Sequence, residues 1–133
     1  MHDVQHISIY IDQCPKDIYA FVSNPPNLPL WAAGLTGSEI TKDGDSWIAE
    51  APFGQVKIRF AEKNILGVLD HDVELDSGIV VHNPMRVVPN GKGSEFIFTL
   101  IRQSGMSDEQ FAEDKRAIEK DLRALKELLE SKS

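Results

Sequence analysis

The stretch GVLDHDVEL, residues 67–75, decides how the rest of the chain is read. Asp70, His71 and Asp72 stand side by side in it, which suggests either a metal or catalytic cluster or a β-strand whose neighbours part to opposite faces. Side chains in a strand alternate. Leu69, His71, Val73 and Leu75 then share an apolar face, and Asp70, Asp72 and Glu74 share a polar one. Three adjacent strand residues cannot ligate one metal in regular geometry, and no second His or Cys shares the face of His71. No metal site is expected.

The segment before this stretch splits in the same way, with Val56, Ile58 and Phe60 inward and Lys57 and Arg59 outward. A hairpin through residues 64–67 that matches the apolar faces sets Arg59 opposite Asp72 and Lys57 opposite Glu74. Such cross-strand pairs contribute a few tenths of a kcal/mol each. After the stretch, Asp76-Ser77-Gly78 reads as a three-residue loop with Gly78 at positive φ. It pairs Leu75 with Ile79, Val73 with Val81, His71 with Asn83 and Leu69 with Met85. A two-residue loop would set Val73 against His82 and mix polar with apolar. The expected arrangement makes His71 and Asn83 a polar pair inside an apolar wall, with Phe60 on the other side of His71 and His82 outward beside Asp72. Pro84 lacks the N–H of a ladder residue, so it marks an edge or a bulge.

The remaining elements follow from period and punctuation. Ile7, Ile9 and Ile11 alternate with polar residues as a half-buried strand. Pro15 suits the first turn of a short helix carrying Ile18, Phe21 and Val22, which Asn24-Pro25-Pro26-Asn27 should stop. A second short helix is expected over 28–33, with Leu28 and Trp31 on one side and Gly34 as its stop. Further strands are expected over 47–51, 55–62, 68–75, 79–88 and 95–102. Ser107 and Gln110 form a capping box, after which Phe111, Ile118, Leu122, Leu125 and Leu129 trace one apolar stripe. The charged residues of that last helix read as its solvated face.

At 133 residues the chain suits a single domain, residues 1–133, and a chain of this size buries roughly two-thirds of its unfolded surface. The fold class is α+β: a curved antiparallel sheet of six to seven strands around a long C-terminal helix, with two short helices after the first strand. A net charge of −7 argues against nucleic acid and anionic membrane as partners. No run is long enough to insert in a membrane. A single cysteine, Cys14, permits no internal disulfide. MHDVQHISIYI, residues 1–11, lacks the basic and apolar regions of a signal peptide, so a cytoplasmic location is expected. Gly91-Lys92-Gly93 is a hairpin turn without a following helix, not a phosphate loop, and no cofactor is implied.

The chain resembles the START-like or SRPBCC superfamily, the helix-grip fold, and within it the small polyketide cyclase/dehydrase-like proteins. The resemblance covers nearly the whole chain. It rests on Pro15 and the helix after strand one, NLPLW (27–31), GVLDHDVEL, NPMRVVPNGKGSEFIFTL (83–100) and DLRALKELLE (121–130). It implies a cavity between sheet and last helix for lipids, sterols, polyketides or quinones; some members are cyclases or hydrolases, and no catalytic motif is universal.

Candidate ligand contacts are His71, Asn83, Phe60, Trp31, Trp47 and Arg86. His71 is either a core histidine hydrogen-bonded to Asn83 or backbone, a polar anchor for a ligand, or a general acid/base. A bulge at Pro84 would turn Arg86 inward toward an anionic ligand group, whereas regular alternation sends it outward. The direction of Thr99 is left open, because residues 96–101 are apolar on both faces. The leading expectation is binding of a small hydrophobic or aromatic molecule. The alternatives are a cyclase or dehydratase using His71, and a protein-interaction module with a filled core.

Overall fold

The structure is a computed structural model, and it describes residues 1–52 and 54–131. Strand β1 (Val4–Ile11) leads into helix α1 (Pro15–Val22), which starts on Pro15 and buries Ile18 and Val22. A 3-10 turn at Pro25–Leu30 and a shorter one at Ala33–Leu35 follow. The second helix therefore begins inside the NPPN segment rather than after it. Prolines fit the first positions of a helix, so the same residues that stop α1 start the next turn. Strands β2 (Ile40–Asp43), β3 (Ser46–Ala51), β4 (Gly54–Phe60), β5 (His71–Glu74), β6 (Val80–Asn83), β7 (Met85–Asn90) and β8 (Gly93–Ile101) come next, then helix α2 (Asp108–Glu130).

Among the described residues, eight strands form two sheets, ordered β1-β8-β7 and β2-β3-β4-β5-β6. The count exceeds the expected six to seven for two reasons. Strand β2, residues 40–43, has too short a pattern to read, and Pro84 splits the expected strand 79–88 into β6 and β7. The two sheets remain stitched at the split: Leu69 N–H donates to the Met85 carbonyl at 2.9 Å, Val87 N–H to Gly67 at 3.0 Å, and Thr99 N–H to the Pro84 carbonyl at 2.9 Å. Val68 and Arg86 form an isolated bridge there.

Register agrees with the alternation argument. Arg59 lies opposite Asp72, Lys57 opposite Glu74, His71 opposite Asn83 and Val73 opposite Val81. The loop at 76–78 has Gly78 at φ +90, with Leu75 N–H on the Ile79 carbonyl. Strand β5 is shorter than the expected 68–75, because residues 61–70 form a loop around Asn64 instead of a tight hairpin. The Asn64 side chain accepts from Leu66 and Val68 N–H, both at 3.0 Å, and donates to the Glu62 and Val68 carbonyls.

The core sits between the inner sheet face and α2. Ser107 caps α2 through the expected box, at 3.0 and 3.1 Å with Gln110. Leu122, Leu125 and Leu129 are buried against Ile7, Ile11 and Phe96, and α2 packs chiefly on β1. Phe111 and Ile118, nearer the helix start, are half-buried.

Candidate functional site

The inner face of β4, β5 and β6 carries the polar pair. Phe60 and His71 are cross-strand partners and stack, with ring centres 4.8 Å apart at 18°. Across the next ladder, Asn83 Nδ2 lies 3.4 Å from His71 Nε2, while His71 Nδ1 lies 3.3 Å from the Leu69 carbonyl. One neutral tautomer satisfies both contacts: Nδ1–H donates to Leu69, and Nε2 accepts from the Asn83 amide. Burial pushes the His71 imidazolium down from the ordinary 6.5; the Leu69 carbonyl and the charges of Asp72 and Asp70 act in the raising direction and do not reverse it. His71 is thus a neutral, weakly hydrogen-bonded imidazole whose contacts are long by hydrogen-bond standards. Phe60, Val73, Val81, Asn83 and Phe98 around it are only half-buried, so this part of the inner wall is less closed than the Leu122–Leu129 end.

The outer side of β5, together with Asp70 just before it, holds the acids. Asp70 accepts from Met85 N–H at 2.9 Å and from Arg86 Nε and Nη2 at 3.2 and 2.9 Å. The split at Pro84 explains this: Met85 N–H takes a carboxylate, and Arg86 follows it outward. Burial raises the Asp70 carboxyl, but the Arg86 and Met85 bonds outweigh it and hold it below the ordinary 3.8. Arg86, expected among the ligand contacts if turned inward, therefore lies on the outer face with its charge committed to Asp70. Asp72 bonds His82 at 2.6 Å rather than Arg59, whose Nε reaches the Ser46 hydroxyl at 3.4 Å. The cross-strand register was right, yet among the described residues Asp72 and Arg59 take these partners rather than each other.

The tryptophans occupy separate places. Trp47 and Phe60 share a concavity of about 370 Å3 with Tyr19, Pro25 and Leu69, at the sheet end beneath α1; neither His71 nor Asn83 lines it. Trp31, 7% exposed, packs edge-on against Phe96 with ring centres 6.3 Å apart. Its indole N–H is buried without a hydrogen-bond partner among the described residues. Thr99 points away from the inner wall and meets His6 Nδ1 at 3.0 Å.

Two residues were misjudged from the sequence. Asp121 was assigned to the solvated face of α2, but it is half-buried and accepts from Ala33 N–H at 3.2 Å. Burial raises its carboxyl above the ordinary 3.8, against the Ala33 bond and the charge of Lys120. Asp114 is raised too, by burial and then by Glu113. The spacing held the signal: each lies one helical turn beyond a stripe residue, Phe111 or Ile118.

The chain matches no protein-family model and no curated protein. Solved structures share its architecture. DynU16, from the dynemicin biosynthetic locus, superposes with a TM-score of 0.73 at 13% identity over 98% of this chain, which spans 48% of DynU16. Ara h 8.0201 gives 0.73 at 15% identity, over 98% of this chain and 99% of that one. KanY gives 0.71 at 12% identity, over 98% and 99%. The fold is a helix-grip. In helix-grip terms, His71 and Asn83 lie on the gripping face of the sheet, while Asp70, Asp72, His82 and Arg86 lie on its outside. No helix is long and apolar enough to cross a membrane among the described residues.

Proposed function

We propose that this chain, as one domain over residues 1–133, binds a small hydrophobic or aromatic molecule between the sheet and α2. His71 and Asn83 hold the oxygen function of that molecule. The observation that carries this reading is the polar pair on a half-buried apolar wall: few polar groups in an apolar cleft is the usual makeup of a small-molecule site. Both contacts of His71 are long enough to be exchanged for a ligand oxygen at little cost. Apart from the pair, Trp31 carries a buried N–H without a hydrogen-bond partner among the described residues, which costs about 1–3 kcal/mol until an acceptor reaches it.

A lipid, polyketide or quinone suits these groups, each combining an apolar body with carbonyl or hydroxyl oxygens. The resemblance to the polyketide cyclase/dehydrase-like branch makes polyketides the first class to try, and the structural neighbour DynU16 comes from a biosynthetic locus. Binding rather than turnover is favoured by the partners of His71. They are an amide and a carbonyl, not the carboxylate that orients a catalytic imidazole. A cytoplasmic location belongs to the same reading.

Thermal denaturation with phenols, fatty acids, quinones and aromatic polyketides tests the proposal, together with the indole NMR signals of Trp31 and Trp47. At least one class should raise the melting temperature and move the Trp31 signal, and His71→Leu with Asn83→Leu should remove both effects. Silence across the panel would overturn the reading.

A further inference from the structure

A second surface has the makings of a ligand site, and it stands apart from the His71 wall. Between α1 and the loop at residues 61–70 runs a groove of about 760 Å3, within the roughly 300–1,000 Å3 usual for small-molecule sites. Its lining is mostly apolar: Pro15, Tyr19 and Ala20 from α1, Ile65 and Leu66 from the loop, and Val87 from β7 are among the residues. Among the described residues two charged side chains line it, Lys16 and Lys63, and both are positive in a chain of net charge −7.

The loop side is built rather than loose. Asn64 ties the loop to itself through its side chain, and its own N–H donates to the Tyr19 hydroxyl of α1 at 3.0 Å. That scaffold holds Ile65 and Leu66 at 101% and 75% exposure. Two large apolar side chains held in water by a hydrogen-bonded loop contribute nothing to the core, and covering them is favourable. The cations are similarly available. Lys63 spends one of its three donors on the Ser23 hydroxyl, at 3.2 Å, and lies 5.8 Å over the Tyr19 ring. Lys16, at the first turn of α1, is exposed.

We infer that this groove binds a single-chain amphiphile with a carboxylate head, a fatty acid. The acyl chain lies along Tyr19, Ala20 and the Ile65–Leu66 edge, and the carboxylate meets Lys16 and Lys63. The apolar lining accounts for the chain, and the two lysines, which form no ion pair among the described residues, account for the sign of the head group. This inference does not rest on the His71 reading, since no residue of the His71–Asn83 pair lines the groove.

Cys14, the single cysteine, lines the groove and is exposed, so it reports on occupancy. The experiment measures alkylation of Cys14 by iodoacetamide in the presence of dodecanoate, dodecanol or dodecyltrimethylammonium, each below its micelle concentration. Dodecanoate should slow alkylation saturably, dodecanol less, and the cation not at all. Lys16→Glu should weaken dodecanoate roughly tenfold, the loss of one charge-assisted contact. Leu66→Asp, at an exposed position, should weaken it at least as much without harming the fold. His71→Leu should leave protection unchanged. Absence of protection by dodecanoate, or equal protection by dodecanol, overturns the inference. So does loss of protection in His71→Leu while Leu66→Asp is silent, because the amphiphile would then occupy the inner face.

Discussion

Asp70 and His71 are joined by one peptide bond, and burial acts on both, with opposite results. Desolvation disfavours the charged form of each group. On the outer face, Asp70 meets Arg86 and the Met85 N–H, which reverse the effect of burial and keep the carboxylate ionised. On the inner face, His71 meets a carbonyl, an amide and the ring of Phe60, so burial stands and the imidazole stays neutral. A charged partner is what separates a structural staple from a neutral polar anchor. Asp70, on the outer side just before β5, fastens the sheet, and the inner face of β5 presents a group that can still accept a hydrogen bond.

The strongest way to break this comparison is to remove the residue that anchors the stretch. Leu69 is 1% exposed on the inner face, and its backbone bonds Met85 across the split in the sheet. Leu69→Ala should cost about 3–4 kcal/mol in chemical denaturation, combining lost transfer energy with a cavity. A cost under about 1 kcal/mol would mean that the stretch does not hold β5 against β7.

Asp70 comes next. Asp70→Ala leaves Met85 N–H and the Arg86 guanidinium without their acceptor, which should cost about 2 kcal/mol at neutral pH. The folded carboxyl lies below the unfolded value of 3.8, so the native state binds its proton later than the unfolded state does. The contribution is present above 3.8 and is lost as pH falls through the folded value. Wild type and variant should therefore converge in acid, and a difference that persists in strong acid would show that the carboxylate charge is irrelevant.

Much of this was legible because β-structure has a period of two and tolerates no slip. A one-residue shift would have put Asp72 on the core side, so the hydrophobic pattern, with the Gly78 loop, selected His71 opposite Asn83 and Phe60. The ion pairs were less legible. Register places Cβ atoms, but side-chain partners depend on which groups the backbone leaves unmet. Pro84 left Met85 N–H in need of an acceptor, and Asp70 took it together with Arg86. The loop at 61–70 escaped for a related reason: the hub role of Asn64 is made of four short-range hydrogen bonds, which carry no periodic signal. Ile65 and Leu66 fall inside the expected hairpin turn at 64–67, and a turn has no periodic face from which their exposure could be read.

His71 provides the complementary pH experiment. His71→Gln should cost about 1 kcal/mol near pH 8, because Gln can still reach Asn83 but loses the stack on Phe60. The folded imidazole titrates below its ordinary 6.5, so the unfolded chain binds the proton first as pH falls. Wild type should hold full stability above 6.5 and lose it as pH drops through the folded value, whereas the Gln variant lacks this slope. A gap between the two proteins that stays constant from about pH 8 to 5 would show that His71 is not held neutral on the inner face.

The smallest effect tests whether burial or distance ranks these contacts. His82 and Asp72 sit 2.6 Å apart on the outer face, with side chains 55% and 48% exposed. His71 and Asn83 sit 3.4 Å apart on the inner face and are half-buried. Distance alone would rank the outer pair higher. Water solvates both outer groups whether or not they meet, and salt screens them, so their coupling in a double-mutant cycle should be under about 0.5 kcal/mol and should shrink at high ionic strength. The inner pair, where each group loses water on folding, should couple by about 1 kcal/mol and ignore salt. If the outer cycle gave the larger coupling, desolvation would not be the quantity that divides the two faces of β5, and the assignment of His71 as the anchor would lose its physical basis.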